Sequence, residues 1–375
     1  MKILISLSYY TPNISGLTVY AKNLAEELVK KGHQVTVLAS RYKNELPRTE
    51  AINGVFIKRL WTPIVFGRGP IMPTYLFAAF LESLKNDIVN IHIPQFEGFL
   101  LALVAKLLGK KVVVTHHCDL SNWPGFINRI TEVATYFSLL LIGYLADTIV
   151  VYTKDYADHS NYLLRFENKL QFVLPPVKFE TSPQKLKGIP SSIKYKIGFA
   201  GRIAREKGIE YLFGAIPSLE RKLGNNFKIF LAGPGKEVVG GGFQKDLEKL
   251  ISKFRGKISF LGALDAKQMA MFYKSIDVLV LPSTEKLESF GFVQVEAMLS
   301  GCPVVASDLP GVRVPIRLGG MGEITPIKDS IKLADVIVEV IKGSNKYQDF
   351  YKKINRIFNP DDTIAAYEKI FKKLS

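Results

Sequence analysis

The sequence predicts an α/β protein built from two facing, doubly wound domains, and three observations lead there. Short β-branched runs alternate with amphipathic helical stretches in two separate series. A segment rich in proline and lysine, Pro175 to Lys196, divides the two series. The chain has 375 residues, 47% of them hydrophobic, enough to bury two ordinary cores but hardly three.

The first series opens with a strand at Lys2 to Leu7, followed by a helical pattern through Tyr20, Leu24, Leu28 and Val29 that stops at Gly32. Strands follow at QVTVLAS, at 55–60, 87–93, 111–117 and 147–153, and at LQFVLPP (170–176). Continuous β-branched runs separated by helices imply a parallel sheet covered on both faces. After the proline-rich segment come strands at 196–201, 227–233, 258–262, 278–282 and 303–307, with helices near 208–223, 243–254, 265–275 and 290–300. Four of these five strands end in Gly or Pro before a helix opens, so the loops at the carboxyl ends should form the ligand face, and two such domains should enclose a cleft. The expected domains are 1–180 and 195–355. The last segment, 360–375, is a helix with Ile364, Tyr367, Ile370 and Phe371 on one face. That face must dock somewhere, and the first domain is one place open to it.

Composition excludes several classes. No segment combines low hydrophobicity with high charge, so a disordered or fibrous protein has no support. Only two cysteines occur, Cys118 and Cys302, without metal spacing, which argues against a disulfide framework or structural zinc and for a cytoplasmic setting. The N-terminal apolar stretch is strand-sized, and the longest apolar run, Tyr136 to Val151, is cut by Asp147, so no membrane span is expected. The 50 Lys and Arg against 34 Asp and Glu leave a net charge of +16, which suits nucleic acid, an anionic membrane, phosphorylated substrates or plain solubility. The excess is spread over both halves, with no dense basic stripe or recognition motif, and a nucleic-acid partner is not expected.

The most informative stretch is PSTEKLESFGFVQVEAMLSGCPVVASDLPG, Pro282 to Gly311. Glu288 and Glu296 sit eight apart around Phe290-Gly291-Phe292, where a loop gives way to a helix. A helix start offers unpaired N–H groups to a phosphate, and Gly291 lets a ligand approach the backbone. On an ideal helix two carboxylates at this spacing lie about 80° apart around the axis and more than about 10 Å apart along it, too far for an acid/base dyad. They suit two separated hydroxyl groups of an elongated ligand, since a carboxylate accepts two hydrogen bonds. Read without context, Glu288 also fits a helix cap and Glu296 a solvated helix residue.

ESFGFVQVEAMLSGCPVVASDLPG closely resembles the E-x7-E signature of family 4 retaining glycosyltransferases, which have the GT-B fold of two Rossmann-like domains. GRIAREKGIEYL (201–212) is similar to a second landmark of that family, and AGPG (232–235), FLG (260–262) and the first-domain VVVTHHCD (112–119) fall in the family's order. The resemblance spans nearly the whole chain. It implies a nucleotide-sugar-binding second domain and an acceptor-binding first domain.

It also implies roles residue by residue. Arg202 and Lys207 match the cations that contact the donor diphosphate, and two cations on a Gly-flanked turn can neutralise charge building there. Arg202 read alone could equally pair with Glu206 at i+4. Glu296 matches the glutamate that binds ribose hydroxyls, and Glu288 the one near the donor sugar and phosphate. The backbone of Phe290, Gly291 and Phe292 would hold the sugar or diphosphate, and Leu261 and Gly262 would receive the base. Main-chain contacts leave no code for the base, so UDP and GDP both stay open. In Tyr10-Thr-Pro-Asn-Ile-Ser-Gly16 the family's usual glycine pair is reduced to Ser15-Gly16, with Gly16 left to present its N–H. His117 and Asp119 align with a histidine and aspartate of the family, and His116 stands where an aromatic is usual. At the strand's carboxyl end His117 could hydrogen-bond the donor sugar or the acceptor. The neighbouring His116 then points to the opposite face as a packing residue.

The chain contains no D-x-D, no H-x-x-x-H and no Cys/His cluster, so neither a metal-held diphosphate nor zinc chemistry is expected, and no cofactor is needed. The resemblance implies transfer of a hexose from a nucleoside-diphosphate sugar with retention of configuration, by His117, Arg202, Lys207 and Glu288. The basic and aromatic text at 58–81 and 123–130 suggests a lipid-linked acceptor, reached from the inner face of an anionic membrane, with a saccharide as the other acceptor class. A sugar-nucleotide epimerase or a phosphorylase of the same fold is the alternative chemistry.

Overall fold

The computed structural model describes residues 1–66, 69–120, 125–234 and 243–374. Gly67 and Arg68, Trp123 and Pro124, and Gly235 of the AGPG stretch lie outside the described residues. The chain forms two compact units, Met1–Pro176 with Asn359–Ser375, and Val177–Phe358. The stretch from Val177, expected to be linker, belongs to the second unit: Phe179 packs edge-on against Tyr273 and Leu186 N–H donates to Ser275 Oγ at 2.7 Å.

The first unit runs β1 (Lys2–Ser6), α1 (Gly16–Lys30), β2 (Gln34–Arg41), β3 (Thr49–Ile52), β4 (Val55–Trp61), β5 (Ile64–Phe66) and β6 (Gly69–Ile71). It continues with α2 (Tyr75–Lys85), β7 (Ile88–Ile93), α3 (Gly98–Leu107), β8 (Lys111–His116), α4 (Phe126–Leu145), β9 (Thr148–Val151), α5 (Lys154–Ala157) and β10 (Leu170–Phe172). Eight strands make one sheet in the order β10-β9-β8-β7-β1-β2-β4-β3, and β5 and β6 form a separate hairpin. β1 pairs in parallel with β2 on one side and β7 on the other, so the sheet reverses its winding between β1 and β7. Strand β7 is buried along its whole length, as its run IVNIHI requires of a strand covered on both faces.

Two features of this unit escape an apolar-run reading. β3 is a half-buried edge strand that pairs antiparallel with β4 across Asn53 (φ 49°) and Gly54 (φ 82°). Both turn residues take positive φ, the conformation that makes Asn-Gly a two-residue hairpin signal. α1 begins with Ser15 as its cap: Ser15 Oγ accepts from Thr18 N–H at 3.2 Å and Thr18 Oγ1 accepts from Ser15 N–H at 2.7 Å. Ser15 thus takes a capping role where the family has glycine, and Gly16 is the first helical residue.

The second unit contains β11 (Tyr195–Ala200), α6 (Ile209–Gly214), α7 (Ile216–Leu223), β12 (Phe227–Ala232), α8 (Phe243–Lys253), β13 (Ile258–Gly262) and α9 (Ala266–Ser275). After these come β14 (Val278–Leu281), α10 (Phe292–Leu299), β15 (Val304–Ser307), α11 (Val314–Gly319), β16 (Gly322–Thr325), α12 (Ser330–Lys342) and α13 (Tyr351–Ile357). Its six strands are all parallel, in the order β13-β12-β11-β14-β15-β16. The single helix expected over 208–223 is two. Pro217 has no N–H to continue the first and instead occupies the opening turn of the second.

The final helix, α14 (Pro360–Leu374), closes the first unit. Ile364, Tyr367 and Phe371 are fully buried, and Tyr367 Oη lies 2.8 Å from Tyr20 Oη of α1. Thr363 Oγ1 donates to Leu174 O at 2.8 Å, and Glu368 meets His33 at 3.0 Å. Among the described residues, no helix is long and apolar enough to cross a membrane.

Candidate functional site

In the second unit the winding reverses between the neighbouring strands β11 and β14, and in such sheets ligands bind outside the carboxyl ends of the strands at that point. The two motif-bearing loops, 201–208 and 282–291, leave those two carboxyl ends. They are held together by backbone: Thr284 N–H donates to Glu206 O at 3.0 Å. Gly208 (φ 61°) lies so close to Pro282 that a Cβ would stand 2.1 Å from its carbonyl oxygen. Gly201 (φ 139°) and Gly233 (φ 151°) meet at the ends of β11 and β12 in the same way. This close approach joins Lys207 and Glu288 in an ion pair, with side chains 19% and 12% exposed.

Arg202 leans back on Glu206, Nη2 to Oε1 at 3.3 Å, while its side chain stays about half exposed. The i+4 pairing that Arg202 could adopt is therefore present, though from the loop before a short 3-10 turn that carries Glu206, not along a surface helix. Glu206 is buried, and its Oε2 has no hydrogen-bond partner.

Helix α10 starts only at Phe292, with Gly291 (φ 79°) as its cap residue. Glu288 therefore stands on the loop before α10, and the ideal-helix offset expected between Glu288 and Glu296 does not describe them. The left-handed Gly291 turns the chain before the helix begins, a step only glycine takes without strain. Gln294 clamps this turn from below: its Nε2 donates to Phe290 O at 2.9 Å and to Val312 O at 2.8 Å. Phe290 is fully buried, edge-on to Phe292, so its backbone rather than its ring can reach a ligand. Glu296, mid-helix on α10, accepts from Tyr273 Oη at 2.8 Å. Burial pushes the Glu296 carboxyl above its ordinary range, and the hydrogen bond from Tyr273 opposes that rise. Leu261 and Gly262 (φ 76°) end β13, where Gly262 O already accepts from Gly233 N–H at 2.8 Å.

In the first unit His117 lies one residue beyond β8 and is almost fully buried. A sugar-facing imidazole was expected here, and the structure engages both of its ring nitrogens internally. Nε2 meets His92 Nδ1 at 2.9 Å, and Nδ1 meets Tyr152 Oη. The partners assign the protons. Asn90 Nδ2 donates to Val113 O at 3.2 Å, which turns Asn90 Oδ1 toward His92 Nε2 at 2.9 Å. His92 Nε2 must then carry a hydrogen. Burial lowers the His92 pKa to about 3, so the ring is neutral and its Nδ1 accepts from His117 Nε2–H. Desolvation, with His92 and His116 nearby, holds His117 well below the usual histidine range as well, leaving its Nδ1 to accept from Tyr152. Asn90 Nδ2 also donates to Thr115 Oγ1 at 2.9 Å, which bonds Tyr367 of α14 at 2.8 Å. His116 fills the aromatic's place, stacked on Tyr162 with ring centres 5.4 Å apart and tilted over Tyr156. Gly16 connects to this network through its own helix, since Tyr20 of α1 lies edge-on to His117 at 5.0 Å.

The structure thus brings Lys207 to Glu288 and sets Arg202 on the same loop, but gives Glu296 a partner that motif reasoning missed. The signal was there in FYKSID before β14, since a tyrosine on the buried face of a helix needs a partner for its hydroxyl. Among the described residues, no group of three His, Cys, Asp or Glu side chains is placed to hold a metal ion.

Residues 185–356 match the family of glycosyl transferases group 1, and residues 14–178 match Glycosyltransferase Family 4. The chain is 31% identical to a D-inositol 3-phosphate glycosyltransferase of Corynebacterium urealyticum, over 90% of this chain and 84% of that protein. It is 29% identical to an uncharacterized glycosyltransferase of Methanocaldococcus jannaschii, over 98% of both chains. Among solved structures, Anabaena HepE in complex with UDP-glucose superposes with a TM-score of 0.74 at 17% identity, covering 100% of both chains. That likeness concerns the fold, the GT-B pairing of two Rossmann-like domains. With the ordered motifs on two such units and these matches across nearly its whole length, the chain belongs to the group 1, family 4 glycosyltransferases.

Proposed function

We propose that this glycosyltransferase moves a hexose from a nucleoside-diphosphate sugar to a lipid-linked or saccharide acceptor, with retention of configuration and without a metal ion. The observation that carries this reading is the loop pair at the β11/β14 reversal, where Lys207, Arg202, Glu288 and the backbone around Gly291 meet at one strand-end surface. In this reading Arg202 and Lys207 take the donor diphosphate, and Lys207 exchanges its Glu288 partner for a phosphate oxygen. Glu288 then faces the sugar, Glu296 holds the ribose, and Leu261 and Gly262 offer main chain to the base. Acceptor oxygen and departing phosphate occupy the same face of the sugar. The C1–O bond to phosphate breaks as the bond to the acceptor forms, and the acceptor proton passes to the leaving phosphate oxygen. The two cations stabilise the charge that collects there. Gly16 and the helix start behind it line the first unit's acceptor end, and His117 supports that end from beneath.

The donor base stays open between UDP and GDP, since the base is taken to meet main chain rather than a side chain. Calorimetry with UDP, GDP, ADP and NAD in EDTA tests the reading. One nucleoside diphosphate is expected to bind without metal. Binding by none of them, or binding only after metal is restored, overturns it.

A lipid acceptor is favoured by the outer surface of α2, α3 and α4. These helices expose Phe77, Phe80, Leu107, Phe137 and Leu141, at between 45% and 77%. The fully exposed charges on the same three helices, Lys85 and Arg129, are both basic, while Glu132 of α4 is half-buried and Glu82 is buried. An apolar face whose fully exposed charges are cations fits the surface of an anionic bilayer, and we propose that the protein works at the inner face of such a membrane. The protein is expected to float with vesicles containing phosphatidylglycerol at low salt and not with pure phosphatidylcholine. A Phe77→Ser/Phe137→Ser variant should float several-fold less. Absence of flotation in the wild type removes the lipid-surface reading.

A further inference from the structure

We propose that Tyr273 is the positioning residue of the ribose site: its hydroxyl holds one carboxylate oxygen of Glu296 so that the other is presented to the ribose of the donor. The inference rests on the reading of Glu296 as the ribose-binding carboxylate.

Three observations on α9 and α10 carry it. First, Tyr273 is rigid. Its side chain is 1% exposed, with Phe179 edge-on at 5.6 Å and Phe272 tilted against it at 5.6 Å, so the hydroxyl has one direction to point. Second, that direction is Glu296 Oε2, at 2.8 Å, which leaves Oε1 as the second acceptor oxygen of the same carboxylate. Third, a carboxylate is an expensive partner for a buried hydroxyl. A backbone carbonyl would satisfy Tyr273 with far less desolvation, and Glu296 sits where burial already disfavours its charged form. The pair costs more than satisfying a tyrosine requires, and the charge it preserves is what a vicinal diol needs.

The other ionisable groups around the pair would not supply that control. On α10 Glu296 is the one ionisable side chain. Cys302 lies beside Tyr273, and burial pushes its thiol far above neutrality; Asp277 acts on Cys302 in turn. Lys267 and Lys274 of α9, Arg317 of α11, and Lys352, Lys353 and Arg356 of α13 are all exposed to solvent.

Tyr273→Phe keeps the ring and removes the hydroxyl, so the core stays filled. Binding of UDP and of its 2′,3′-dideoxy analogue is measured from pH 4.5 to 8 for both proteins, with GDP and its analogue in their place if GDP is the nucleotide bound. The wild type is expected to bind the ribonucleotide at least about tenfold more tightly than the dideoxy form. The variant should lose most of that ratio, and KM for the donor should rise by a larger factor than kcat falls. Glu296 requires its charged form, and without the tyrosine hydrogen bond its pKa rises further, so the acid limb of binding should move to higher pH. A purely structural tyrosine would leave both the ratio and the acid limb unchanged, and that result overturns the proposal. If the wild type itself binds the ribo and dideoxy forms equally, the ribose reading of Glu296 fails, and the proposal with it.

Discussion

Replacing Lys207 with alanine is expected to lower sugar transfer by at least about a hundredfold, the loss typical of removing one preorganised group that stabilises transition-state charge. Lys207 sits on the loop after β11, and its partner Glu288 sits on the loop after β14. Removing the cation does two things. It takes away the charge that a departing diphosphate needs, and it leaves Glu288 beside that diphosphate as an uncompensated anion. The second effect makes Lys207→Ala worse than simple loss of a contact. The pair is only partly buried, so the stability cost should be modest, on the order of 1–2 kcal/mol, and the variant should fold. Initial rates, with circular dichroism as the folding control, check this. Glu296→Ala should likewise abolish transfer in a folded protein. Full activity in both Lys207→Ala and Glu296→Ala would sink the assignment of the donor site.

Gly208→Ala should be among the most damaging single substitutions in the second unit. Gly208 is left-handed at φ 61°, which costs a residue with a Cβ about 1 kcal/mol per position. The larger problem is space. A Cβ there would come within 2.1 Å of Pro282 O and 2.8 Å of Thr284 Cγ2, and the nearer obstacle is backbone, which cannot rotate away. The loops must separate, breaking the Thr284 N–H to Glu206 O bond and pulling Lys207 from Glu288. A loss of more than about 3 kcal/mol in urea unfolding is expected, with activity falling alongside it. Gly301→Ala is the matched control, since Gly301 also has positive φ (80°) and a Cβ there meets nothing within 4 Å. Equal stability of the two variants would show that the loop contact does not hold the site together.

Most strands of both sheets could be read from β-branched runs, because a strand buried on both faces must be apolar along its whole length. The exceptions follow the same logic. β3 is a half-buried edge strand without such a run, β5 carries the short run Ile64-Val65-Phe66 but leaves Ile64 and Val65 exposed, and Pro217 divides a helix whose apolar pattern alone looks continuous. The motif residues Arg202, Lys207, Glu288, Gly291 and Glu296 could be picked out because the stretches that carry them resemble the landmarks of family 4 glycosyltransferases, and their roles are those the resemblance implies. Their surroundings were not. The placement of Glu288 off α10 depends on a left-handed Gly291, the internal bonding of His117 on His92, Asn90 and Tyr152, and the hold on Glu296 on Tyr273 from another helix.

By itself, then, the sequence determined the two doubly wound units, the location of the loops at their strand ends and the residue types available there, since periodicity and local spacing encode these directly. The tertiary structure alone decided which of those residues touch. It paired Lys207 with Glu288, 81 positions apart, neutralised His117 by burying it among partners from β7 and the end of β9, and brought Tyr367 of the last helix to Thr115. Such contacts depend on sheet order and on where glycine allows two backbones to meet, and neither is written in any one segment.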